Sequence, residues 1–92
     1  MNSYQGATKI HKYLMTRWAD TIRDRDGDAP RLFNVTKWEK LGIGGGDGAG
    51  IVWEGYYEWT KPSEITKMEK LLAGKGLYVY PTAEWMVEVF RK

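Results

Sequence analysis

Between Ile51 and Trp59 the chain alternates between two kinds of position. Ile51, Trp53, Tyr57 and Trp59 fall on one parity, and Val52, Glu54, Tyr56 and Glu58 on the other. Successive side chains of a strand point to opposite faces, so the pattern predicts a strand from Ile51 to Thr60. One face is apolar and aromatic, and the other is wet and carries carboxylates. A different period governs the segment from Ala7 to about Arg25, which follows a short polar leader. There Ile10, Leu14, Trp18 and Ile22 recur every four residues with Met15 beside them, the stripe of an amphipathic helix. The turn formers of Asp24 to Pro30 end it. Leu32 to about Leu41 predicts a strand of poorer alternation. Gly42 to Gly50, nearly all glycine, predicts a mobile loop joining the two strands as an antiparallel hairpin.

The second half repeats the helix–strand–strand order. Pro62 suits the first turn of a helix, with Thr60 or Ser63 as its cap. Ile65, Met68, Leu71 and Leu72 form its stripe, and Gly74 and Gly76 its stop. Leu77 to Tyr80 predicts a short strand, Pro81 to Glu84 a turn, and Trp85 to Phe90 a last strand with Trp85, Val87 and Val89 on one face. Two striped helices and a sheet with one greasy face bury each other. The expected fold is therefore α+β in the order α-β-β-α-β-β: a two-layer domain spanning residues 1–92, with a mostly antiparallel four-stranded sheet and both helices on one face.

Composition narrows the chemistry. The 92 residues include no cysteine, which removes disulfides, thiolate metal sites and thiol nucleophiles and suits a reducing cytoplasm. No signal-like or membrane-spanning apolar run is visible in the sequence. Net charge is only +2, but it is unevenly spread: +3 over residues 1–25, −3 over 26–60 and +2 over 61–92. Five Trp and six Tyr must supply much of the core, with Trp18, Trp53, Trp59 and Trp85 expected inside.

No constellation of catalytic residues emerges, and the expectation is a protein that is not an enzyme and needs no cofactor or metal. Gly44-Gly45-Gly46-Asp47-Gly48-Ala49 matches a loosened phosphate-loop spacing, but it leads into a strand rather than a helix, and Asp47 repels phosphate. Asp24-x-Asp26-Gly27-Asp28 resembles the opening of an EF-hand calcium loop. It then places Ala29 at the sharp-turn glycine and Val35 at the bidentate glutamate, which leaves a helix stop. His11, the single histidine, reads as a helix-surface residue without an orienting acid. Glu54 and Glu58 lie about 13 Å apart along an extended strand, too far for paired carboxylate chemistry.

The reading that remains is a protein-binding module working through an aromatic sheet and loop surface: Trp38, Gly45, Gly46, Asp47, Tyr56, Tyr78 and Tyr80. Phage and mobile-element accessory proteins that inhibit a host factor share this size and this lack of active-site motifs. A homodimer through an exposed hairpin edge is a further expectation. The alternative is a single-stranded nucleic-acid binder, for which the first helix offers Lys9, Lys12, Arg17 and Arg23. Glu54 and Glu58 beside Tyr56 oppose phosphates on the sheet.

Overall fold

The structure, a computed structural model, describes residues 1–24, 29–34, 48–54 and 57–92. Helix α1 (Ser3–Arg17) begins earlier than the apolar stripe suggests. The Asn2 side chain accepts the Gln5 amide at 2.8 Å, and the Gln5 side chain accepts the Asn2 amide at 2.9 Å. This reciprocal capping box turns the expected polar leader into the first helical turn. Ser3, Gly6, Ala7, Ile10 and Leu14 form the buried stripe. The helix does not run on to Arg25. Trp18 (φ −108°, ψ 21°) breaks it, and a short α2 (Ala19–Asp24) follows with Ile22 buried. The break sits at the residue whose ring meets Trp59 edge-on, 6.2 Å between centroids.

Four strands, β1 (Arg31–Asn34), β2 (Ala49–Val52), β3 (Leu77–Ala83) and β4 (Met86–Arg91), form one antiparallel sheet in the order β1-β2-β4-β3. Inward rows are Leu32–Ile51–Val87 and Asn34–Ala49–Val89–Val79. On the opposite face Phe33, Gly50, Glu88 and Tyr80 share one row, and Phe90 and Tyr78 the next.

The alternation of residues 51–59 is correct in burial and wrong in pairing. Ile51, Trp53, Tyr57 and Trp59 are buried, while Glu54 and Glu58 are exposed. Yet the strand ends at Val52, not Thr60. Trp53 still donates its amide to the Trp85 carbonyl at 3.0 Å, but Trp85 already belongs to the turn between β3 and β4, so the described ladder stops there. Ala49 and Gly50, expected in the glycine loop, are strand residues. Residues 42–47 of that loop, and 35–41 of the preceding strand, lie outside the described residues.

β3 is longer than its apolar core. It runs through the expected turn to Ala83, and the turn itself is Glu84–Trp85. Between Tyr80↔Glu88 and Ala83↔Met86 the register moves by one, so Pro81 and Thr82 together oppose Val87. Such a bulge on an edge strand is where a proline, lacking an N–H, costs least. The displaced turn leaves Trp85 outside the core: it keeps the parity of Val87 and Val89 but is 52% exposed.

Helix α3 (Pro62–Leu71) starts with Pro at its first position, as expected. Its cap residue is Lys61, and neither Thr60 nor Ser63 closes the end with a side chain. Glu64, Met68 and Leu72 face inward, and Gly74 (φ 75°) and Gly76 (φ 71°) supply the left-handed conformations that turn the chain into β3. α1 lies across β1, β2 and β4, and α3 lies over β3. Both layers close on one cluster running from Ala7, Ile10 and Leu14 through Ile51, Trp53 and Trp59 to Met68, Val79, Val87 and Val89.

Candidate functional site

The aromatic residues divide into an interior group and a surface group, and the strands decide which is which. Inside, Trp59 is the hub: Tyr57 stacks on it at 4.0 Å and 8°, and Trp53 meets it edge-on at 5.1 Å. These rings are core, with Trp18 half-buried at the margin. The indole N–H groups of Trp18, Trp53 and Trp59 find no acceptor among the described residues, and the contacts seen between the rings are stacking and edge-on packing.

The surface group lies on β3 and β4. Leu77-Tyr78-Val79-Tyr80 alternates strictly, which buries Leu77 and Val79 and puts Tyr78 (38% exposed) and Tyr80 (55%) on the sheet face turned away from α1 and α3. Across the ladder, the Phe90 ring lies 5.5 Å from that of Tyr78, tilted by 34°. Tyr80 stands opposite Glu88, whose carboxylate accepts the Thr82 hydroxyl at 2.7 Å. Exposed Trp85 marks the end of the same hairpin. Two tyrosines held by a strand, one with an aromatic neighbour, form a firm amphipathic patch. The parity of Phe90 marked it as a member of that face, and the sequence reading overlooked it. The remaining expected contact residues, Trp38, Gly45, Gly46, Asp47 and Tyr56, lie outside the described residues.

The basic residues of the first helix separate. Lys9, Lys12 and Arg17 surround a shallow, open groove of about 320 Å³ with Tyr13 and Thr16. Tyr13 points its hydroxyl at the buried Glu64 carboxylate (3.5 Å), which also takes an ion pair from Lys67 at 3.3 Å. This node joins α1 to α3, and the sequence reading passed it over because the stripe of α3 names only apolar residues. Arg17 also lies over the Trp18 ring at 5.7 Å. Arg23 stands apart on α2, paired with Asp20 (3.4 Å) and Asp24 (3.6 Å) in solvent. His11 is not a surface residue but half-buried, its Nε2 2.9 Å from the Pro30 carbonyl, which ties α1 to the start of β1. Glu54 and Glu58 hold surface pairs with Arg31 (3.6 Å) and Lys61 (2.7 Å). No helix of the described residues is long and apolar enough to cross a membrane.

No protein-family model, curated protein or solved structure matches this chain.

Proposed function

We propose that this protein is a non-enzymatic protein-binding module whose contact surface is the Tyr78–Tyr80 face of the β3–β4 hairpin, extended by Phe90. One observation supports the reading above the others. A strand that buries Leu77 and Val79 presents two exposed tyrosines on its other face. Tyrosine and tryptophan bring large contact area with few rotatable bonds, and so are common anchors of protein interfaces. Blocking a host factor on behalf of a phage or mobile element is one task such a module performs.

The test is capture from the cells that express the protein, wild type against Tyr78→Ala/Tyr80→Ala. The reading expects a partner held by the wild type and lost by the variant, while the variant keeps its melting temperature within a few degrees. Retention of every partner by the folded variant would refute it.

A second reading has its own observation in the Lys9–Lys12–Arg17 groove, which gathers three cations around an aromatic ring. It is the arrangement expected of a phosphate-backbone contact, and it predicts oligonucleotide affinity that falls steeply with salt. A flat salt response, or no binding, removes it.

A further inference from the structure

The edge of β3 is a donor–acceptor row whose geometry follows from the ladder. Lys92 donates its amide to the Gly76 carbonyl at 2.9 Å, continuing the Leu77↔Arg91 register by one residue. In an antiparallel pair the bonded and non-bonded positions alternate. Gly76, Tyr78 and Tyr80 therefore turn their N–H and C=O groups toward β4, and Leu77 and Val79 turn theirs away from it. Among the described residues β3 is the terminal strand of the sheet, so those two donors and two acceptors face away from β4 with no described strand beside them. Pro81, just beyond, has no N–H, and with the bulge it closes the row.

We propose that this edge receives an extended segment of a partner protein as an added strand, which rests on the protein-binding reading above and specifies its mode. The segment's side chains alternate between the Tyr78–Tyr80 face and the side covered by α3. Its backbone supplies a short ladder to Leu77 and Val79, and the tyrosines supply the contact area that so short a ladder lacks.

Two features specify the occupant. Exposed Lys75, Arg91 and Lys92 gather at the Leu77 end, whereas Glu84 and Glu88 lie toward the other. A segment with an acidic residue beside Leu77 and apolar residues on alternate positions complements that polarity. A second copy of the chain fits less well. Edge-to-edge pairing would set two β3 strands about 4.8 Å apart, with an α3 over each. Packed helices keep axes roughly 8–10 Å apart, so the two helices would collide.

Amide hydrogen exchange by NMR tests the proposal, with peptides selected on the wild-type protein from a phage-displayed random library and then synthesised. In the free protein the Leu77 and Val79 amides should exchange faster than those of Tyr78 and Tyr80. Saturating peptide should slow the Leu77 and Val79 amides by about tenfold or more. Tyr78→Ala should weaken the peptide by about tenfold. Peptides that need Tyr78 yet leave the Leu77 and Val79 amides unprotected would overturn strand addition while leaving the tyrosine surface standing. Failure to select any peptide, or peptides indifferent to Tyr78→Ala/Tyr80→Ala, would overturn both. Protection that grows with protein concentration in the absence of peptide would assign the edge to a second copy and also overturn the proposal.

Discussion

Gly50 is where the sheet has least room, and replacing it by alanine tests the whole arrangement. It sits in β2 between Phe33 of β1 and Glu88 of β4. A Cβ there would meet the Val87 carbonyl oxygen, Phe33 Cζ at 2.9 Å and Glu88 Cα at 3.0 Å. The phenyl ring can swing aside. The other two atoms belong to the backbone of β4, a strand bonded on both sides and unable to retreat without disturbing both ladders. Overpacking a tight site costs about 1–3 kcal/mol, and backbone obstruction puts this one near the top. The lower chain entropy of alanine returns roughly 0.5–1 kcal/mol, leaving a net loss of about 2 kcal/mol. Against a total of roughly 5–14 kcal/mol for 92 residues, this should lower the melting temperature by about 8–16 °C. Urea unfolding followed by tryptophan fluorescence measures it directly, because Trp53 and Trp59 are fully buried. The m-value should not change. Two controls separate crowding from conformation. Gly6→Ala meets only side-chain ends, Leu77 Cδ1 at 2.7 Å and Val89 Cγ1 at 3.2 Å, and gains helix propensity, so it should stay within about 1 kcal/mol of wild type. Gly74→Ala meets nothing within 4 Å but keeps φ at 75°, and should cost about 1–2 kcal/mol. A Gly50→Ala protein as stable as wild type, or less affected than Gly6→Ala, would refute the described approach of β2 and β4.

Other expectations are simpler. Asn2→Ala removes the capping box and should cost about 1 kcal/mol in the same urea assay; no loss would mean that α1 starts later. Trp59→Ala empties the hub of the interior cluster and should cost about 3–5 kcal/mol, with loss of the near-ultraviolet circular dichroism of the stacked rings. Trp85→Phe should remove a readily quenched component of the acrylamide-treated fluorescence with little change in stability; unchanged quenching would place Trp85 inside.

What the sequence revealed and what it hid differ in physical range. Parity is local, so the inward positions of residues 51–59 and 77–80 could be read directly, and with them the exposure of Tyr78 and Tyr80. Pairing length is not local. The end of β2 at Val52 depends on where β4 turns, more than thirty residues later in the chain. Trp85 shows the same limit, because its parity is that of Val87, but burial also requires a covering element at that end of the strand. Spacing on a helix placed Lys9, Lys12 and Arg17 near one another, yet could not show that Arg23 is occupied by Asp20 and Asp24. His11 and Glu64 were missed for one reason: their partners, Pro30 and Tyr13, come from distant segments.

The placement of β4 governs how the domain is made. The strand between β2 and β3 is the latest of the four to be synthesised, and it is the one both neighbours require. Until residues 86–91 have cleared the ribosome, β3 has no neighbour and β2 pairs only with β1, so α1 waits over an incomplete surface. The sheet therefore cannot be completed until β4 has been made. A premature stop a few codons before Met86 should leave a chain for degradation, not a shortened domain.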